Sequence, residues 1–251
     1  AFRLAIPVLP YRRPEQLTDV AQLPARLARR GCGRVLVVTS PSVAKMPGAL
    51  RLLDALTQEG IGWTLYDQTI PNPTTGTVEE ALALYRGEGC QGIVGIGGGS
   101  SLDCAKAVGV RAVLPGKPLS KLGGVLKVRR PLPPLAAVPT TAGTGSETTI
   151  AAVITDAQTR DKYAISDFPL IPDYAVLDPE MTRSLPPRLT ASTGMDALTH
   201  AVEAFIGRST TRDTREDALS AVELIFSHLE RAYRDGGDLE ARRAMLTASF
   251  R

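Results

Sequence analysis

Short apolar runs and helical spacings alternate along the first two thirds of the chain. Arg34-Val35-Leu36-Val37-Val38-Thr39 is a β-branched run of strand length, and Leu50, Leu53 and Leu56 recur at helical spacing between Gly48 and Glu59. Trp63-Thr64-Leu65-Tyr66 predicts a second strand, and it leads into the turn-rich Pro71-Asn72-Pro73. Thr77 is positioned to cap the next helix, with Glu79 and Glu80 near its positive end. Gly92-Ile93-Val94-Gly95-Ile96 then forms a buried strand that runs into glycines. This β-α-β-α-β order predicts a parallel sheet covered by helices on both faces.

Beyond about Pro179 the period changes. Ala191 to Ile206, Thr214 to Tyr233 and Asp238 to Phe250 all read as helices, with little strand signal between them. In Ala191 to Ile206 the apolar stripe is read as Met195, Leu198, Val202 and Ile206. The expectation is an α/β domain over residues 1–180 followed by an all-α domain over 181–251. The last helix reaches Ser249-Phe250-Arg251 with no glycine, proline or capping residue, which reads as a chain stopping inside a helix with its C-terminal part missing.

Composition narrows the class. The 251 residues are 43% hydrophobic and 22% charged, a globular balance. No apolar run approaches the roughly 20 residues that span a bilayer, and Ala1 to Pro7 lacks the long apolar centre of a secretory signal. A net charge of +3 with only 5% aromatic residues argues against nucleic-acid binding, so the basic run Lys127-Val128-Arg129-Arg130 reads as a solvated loop. Cys32, Cys90 and Cys104 show no CxxC spacing and fit reduced thiols in a cytoplasmic protein.

Two loops carry candidate chemistry. Ile96-Gly97-Gly98-Gly99-Ser100 lies between a buried strand and a helix over Leu102 to Val110, where glycines admit a close ligand and the helix N-terminus suits a pyrophosphate. It departs from the usual dinucleotide fingerprint, because the sixth position counted from Gly95 is Ser100, and no Gly-Lys-Ser/Thr follows as in a Walker loop. A plain strand-to-helix turn describes it equally well. After the apolar Leu135 to Val138, the loop Pro139 to Thr149 sets six hydroxyl side chains around Gly143 and Gly145, a density that suits ribose, phosphate or carboxamide contacts.

Asp196 and His200 stand four apart, which puts an oxygen and a nitrogen donor on one helix face, one turn apart. That pair can hold Fe2+ or Zn2+, although an exposed face with an Asp–His contact is the plainer meaning of the spacing. A catalytic metal takes at least three protein ligands, and the only other histidine, His228, lies on an amphipathic stretch and reads as structural.

Gly97-Gly98-Gly99-Ser100 with Asp103 and Lys106, the loop from Pro139 to Glu147, and Gly194-Met195-Asp196-Ala197-Leu198-Thr199-His200-Ala201-Val202-Glu203 together resemble the iron-activated (group III) alcohol dehydrogenases. Pro71-Asn72-Pro73-Thr74 and Lys162-Tyr163 extend the likeness over essentially the whole chain. The resemblance implies a Rossmann-like dinucleotide-binding domain followed by a helical domain, the architecture shared with dehydroquinate synthases. By position, Gly98, Gly99, Ser100 and Asp103 would surround the pyrophosphate of NAD or NADP. Thr140, Thr141, Thr144 and Lys162 would line the rest of the cofactor, with Asn72 close by. Asp196 and His200 would be two of four ligands to Fe2+, with Zn2+ as an alternative, and the other two would follow residue 251. The implied reaction is hydride transfer between an alcohol and the nicotinamide, and the implied assembly a homodimer or higher homo-oligomer.

One departure bears on the cofactor. Many relatives carry Asp just after the first strand, where this chain has Ser40, and losing that carboxylate removes a like-charge penalty against the 2′-phosphate of NADP. Two other readings stay open: a metal- and NAD-dependent lyase resembling dehydroquinate synthase, and a non-catalytic nucleotide-binding remnant.

Overall fold

The computed structural model describes residues 11–208 and 210–251, so the segment Ala1 to Pro7 lies outside the described residues. The chain divides into two compact units. The first comprises Arg13–Thr140 and Ser146–Asp178; among the described residues the second comprises 11–12, Thr141–Gly145 and Pro179–Arg251. The expected boundary at residue 180 put the whole hydroxyl-rich loop in the first domain, yet Thr141–Gly145 groups with the second unit.

The first unit is built on six parallel strands in the order β1-β9-β6-β4-β2-β3. These are β1 (Glu15–Leu17), β2 (Arg34–Val38), β3 (Gly62–Tyr66), β4 (Gly92–Gly97), β6 (Leu135–Pro139) and β9 (Tyr174–Val176). Helices α1 (Leu23–Arg29), α2 (Pro47–Gln58), α3 (Thr75–Gly87) and α4 (Gly99–Val113) alternate with them. Val35 to Val38 on β2 and all of β4 and β6 are buried, as a sheet covered on both faces requires. Leu36 and Val38 belong to the same core as Val78, Leu82, Cys104 and Val108 of α3 and α4. The connection from β2 through α2 to β3 runs towards one edge, and the connection from β3 through α3 returns across β2 to β4. A uniform right-handed crossover therefore puts α2 and α3 on opposite faces.

A second, three-stranded sheet was not foreseen. β7 (Ala151–Thr155) and β8 (Lys162–Ser166) form an antiparallel hairpin, and β5 (Gly124–Val125) pairs with β8. Capping also differs from expectation. Thr74 caps α3, its hydroxyl accepting from the Thr77 N–H at 3.2 Å, while Thr77 sits inside the first turn. Glu79 and Glu80 therefore lie a turn too deep to face the helix dipole; Glu79 pairs with Arg111, and Glu80 accepts from the Tyr66 hydroxyl at 2.8 Å. The three cysteines are free and buried, and burial pushes all three thiols up, Cys104 to about 12. In the basic run, Lys127, Arg129 and Arg130 are exposed and Val128 is in the core.

In the second unit, α5 (Pro187–Ile206), α6 (Arg212–Arg234) and α7 (Leu239–Phe250) follow one another, α5 packed along α6 and α6 along α7. The apolar stripe read from the sequence is wrong for α5. Met195 is 51% exposed and Ile206 70%, whereas the buried face is Thr190, Gly194, Ala197 and Ala201. Small residues make this seam because the helices approach closely: a Cβ on Gly194 would collide with Leu229 Cδ1 and come within 3.1 Å of Met245 Cε. A hydropathy pattern weights large side chains, so it selected the face roughly 110° away. No helix among the described residues is long and apolar enough to cross a membrane.

The seam predicts a contrast measurable by urea unfolding. Gly194→Val, forced into a filled interface, lowers stability by about 1–3 kcal/mol, and Met195→Gln on the open face changes it by less than about 0.5 kcal/mol. Equal effects at the two positions would contradict the observed packing.

Candidate functional site

β4 ends at Gly97, whose φ of +145° is a conformation that side chains oppose. A Cβ there would also lie 2.6 Å from Ser101 Oγ. Gly98 is the N-cap of α4 and no side chain caps that end, so the first-turn N–H groups are left to water or a ligand. Gly98, Gly99 and Ser100 are half-exposed at this positive helix end, the arrangement that suits a phosphate.

Parallel pairing brings other predicted residues to the same edge. Val38 is in register with Gly95, and Gly97 with Pro139, so Ser40, Gly98 and Thr140 all follow the carboxyl ends of adjacent strands. β3 lies on one side of β2 while β4 and β6 lie on the other, so the chain changes direction between β2 and β4, where open α/β sheets leave a crevice for ligands. The buried Thr140 donates its N–H to the Gly97 carbonyl at 3.0 Å. Ser40 is half-buried with its Oγ 3.3 Å from that of Ser42. Asn72 adopts φ +56°; its N–H donates to Ser100 Oγ at 3.3 Å, and its Oδ1 accepts from Lys162 Nζ at 2.8 Å. Ser100, Asn72 and Lys162, far apart in sequence, thus form one chain of contacts.

Asp103 has a different setting from the one its position suggested. Its Oδ1 accepts from Ser146 Oγ at 2.6 Å and its Oδ2 from the Val153 N–H at 3.0 Å, so both oxygens are engaged within the protein instead of meeting an anion. Burial raises its pKa, with Lys106, Ser146 and Val153 opposing the rise. Thr141, half-buried, and Thr144, exposed, fall in the second unit. In that unit Gly143 lies so close to α5 that a Cβ would come 2.7 Å from the Thr193 carbonyl oxygen, which requires glycine there.

Asp196 and His200 are both solvent-facing on α5, their side chains 43% and 52% exposed, with His200 Nε2 3.9 Å from Asp196 Oδ1. That gap is too long for a hydrogen bond, and a shared cation would draw on both atoms. His228 Nδ1 lies 2.9 Å from the Leu224 carbonyl of its own helix, a structural contact. Among the described residues no three His, Cys, Asp or Glu side chains converge. The oxygen–nitrogen pair fits half of a ligand set and does not complete one.

Two residues without an assigned role in the sequence reading stand out at the back of α4. Lys106 and Glu147 are each 1% exposed. The signal for Lys106 was a charged residue inside the apolar run Ala105 to Val110; nothing in the hydroxyl-rich loop marked Glu147 as buried.

A family model described as "Iron-containing alcohol dehydrogenase" matches residues 16–179, and a second, "Fe-containing alcohol dehydrogenase family, C-terminal", matches 190–251. A choline dehydrogenase of Bacillus subtilis (strain 168) is 40% identical over 89% of this chain and 56% of its own. Alcohol dehydrogenase 4 of Schizosaccharomyces pombe is 41% identical over 92% of this chain and 54% of its own. Among solved structures, a 1,3-propanediol oxidoreductase superposes with a TM-score of 0.93 at 36% identity, over 96% of this chain and 64% of that one. A sulfoacetaldehyde reductase from Bifidobacterium kashiwanohense, in complex with NAD+, superposes with a TM-score of 0.86 at 31% identity, over 96% and 65%. The chain thus spans just over half the length of these two curated relatives.

The turn at Gly97 generates a binding prediction. Gly97→Ala weakens ADP, a pyrophosphate probe, by about tenfold or more in calorimetric titration, while Gly116→Ala, in open space, leaves it unchanged. Undiminished ADP binding by a folded Gly97→Ala protein would remove the turn from the site.

Proposed function

The chain belongs to the iron-containing alcohol dehydrogenase family, and from that premise we propose that it carries the dinucleotide site and two metal ligands of an NAD(P)-dependent alcohol dehydrogenase. The observation that carries the reading is the uncapped N-terminus of α4 at the crevice between β2 and β4, linked through Ser100 and Asn72 to the ammonium of Lys162. Backbone N–H groups of Gly98 to Ser100 receive the pyrophosphate, and Lys162 adds a positive charge beside it. Asp103 acts from behind, holding Ser146 and β7.

In the proposed reaction the carbinol carbon gives a hydride to the nicotinamide ring and the hydroxyl proton passes to solvent; the reverse reduces an aldehyde or ketone. The residues present fit Fe2+, or Zn2+, as two ligands: Asp196 would supply charge and His200 a neutral nitrogen. When bound, such an ion supplies Lewis acidity towards the alcohol oxygen. With no third donor among the described residues, the chemistry derived from this chain ends at binding and orientation. The names of the relatives, among them a methanol dehydrogenase and a lactaldehyde reductase, favour primary or secondary alcohols and their aldehydes or ketones as substrates. The same names favour a dehydrogenase over a synthase-type lyase. Three buried thiols with no disulfide suit the reducing cytoplasm, and a homo-oligomer remains the expected assembly.

Ser40 leaves the crevice without the carboxylate that would repel a 2′-phosphate. Fluorescence titration should find NADPH bound at least as tightly as NADH, and Ser40→Asp should weaken NADPH by about tenfold or more while sparing NADH. A strong preference of the unaltered protein for NADH would refute this.

For the metal, dialysis against Zn2+ separates the two histidines. His200→Ala lowers affinity by about tenfold or more, whereas His228→Ala does not. Equal losses, or none, would take His200 out of the metal site.

A further inference from the structure

Lys106 and Asp103 stand three apart on α4 and both reach β7. Lys106 Nζ donates to the Thr149 carbonyl, to Thr149 Oγ1 and to the Ala151 carbonyl, each at 2.9 Å, which uses all three of its N–H groups. Asp103 takes the Val153 N–H and the Ser146 hydroxyl. β7 in turn pairs with β8, Thr155 opposite Lys162, and Lys162 holds Asn72, which holds Ser100 at the front of α4. The contacts close a ring that leaves α4 at Lys106 and returns to it at Ser100. The position of the Lys162 ammonium relative to the phosphate turn is set by that ring.

Glu147 lies behind it, 1% exposed, and its Oε1 has no hydrogen-bond partner. Its own backbone N–H meets the carboxyl group, and Lys106, on α4, is the charge that faces it; Asp103, also on α4, is the second carboxylate acting on Lys106. Because Lys106 is saturated by Thr149 and Ala151, it cannot bond Glu147 without releasing β7. An ionised Glu147 would be a buried charge with one oxygen, Oε1, left without a hydrogen bond, a costly state.

We infer that Glu147 is a positioning residue for the dinucleotide: as a neutral acid it leaves Lys106 on β7, and on losing its proton to solvent it draws Lys106 away and loosens the ring that places Lys162. The inference rests on the dinucleotide reading of the phosphate turn. Burial pushes Glu147 up to about 7 and Lys106 down to about 8, so the change falls near neutrality.

The probe is NADH, which lacks a 2′-phosphate that would itself titrate. Its dissociation constant, followed by fluorescence from about pH 6 to about pH 9, rises roughly tenfold through neutrality in the unaltered protein. In Glu147→Gln it stays at the acidic-limit value through neutrality and changes only where Lys106 loses its own proton; should that variant fold poorly, Glu147→Met carries the same test. A second readout needs no cofactor. The folded-state value of Glu147 lies above its ordinary 4.5, so its contribution to stability is whole below 4.5 and is lost as pH rises to about 7. Unfolding midpoints of the unaltered protein should therefore decline across that window relative to Glu147→Gln. NADH binding that is flat with pH, or that keeps its slope in Glu147→Gln, overturns the positioning role alone. No NADH binding at any pH, with the stability difference present, overturns the dinucleotide reading and the positioning role with it.

Discussion

α4 can lie against the carboxyl half of β4 only because Gly95 and Gly97 offer no side chain there. A Cβ on Gly95 would come 2.9 Å from Ala105 Cβ and 3.2 Å from Leu102 Cδ2, and one on Gly97 would press on Ser101. Two features of the first unit follow from that approach. It sets the uncapped helix end at the carboxyl edge of the sheet, where a phosphate can meet N–H groups with no Cβ between. It also carries the far side of α4 deep enough to bury Lys106, so the same steric fact creates both the open front of the helix and the charged interior behind it.

The buried charges explain why the hairpin β7–β8 belongs with the proposed dinucleotide site although it forms a separate sheet. A lysine that has lost its water must find oxygen acceptors, and the nearest row is the start of β7. Lys106 and Asp103 tie that strand to α4, β8 pairs with it, and Lys162 at the start of β8 bonds Asn72. The polar network thus converts the packing of one helix into the placement of one ammonium group. Such networks specify geometry more reliably than they add stability, because a half-satisfied arrangement costs more than an apolar one.

The central part of the parallel sheet was legible because β2, β4 and β6 are continuous apolar runs punctuated by glycine and proline, whereas the three-residue β1 and β9 went unread. β7 and β8 escaped because their faces differ: β7 exposes Val153 while burying Ala152 and Ile154, and Lys162 opens β8 with a charge. Thr77 was a reasonable cap by residue type, but Thr74 stands three residues earlier, just outside the helix, and only backbone geometry separates the two. At the candidate site, the glycine turn and the shared helix face of Asp196 and His200 were readable because each is local. The inward turn of Asp103 and the burial of Glu147 depend on partners some 40 residues away, which no local pattern contains.

The error on α5 has a consequence for the two proposed metal ligands. Gly194 and Ala197 flank Asp196, and Ala201 follows His200, so the residues that seat the helix against its neighbour alternate with those that face solvent. Had the large side chains Met195, Val202 and Ile206 formed the buried face, α5 would be rolled by about a third of a turn and the Asp–His pair would point in another direction. The small seam therefore fixes the rotation of the helix about its own axis. An i, i+4 spacing sets the distance between the two side chains in any helix; the aim of the pair is set by Gly194, Ala197 and Ala201 on the packed face.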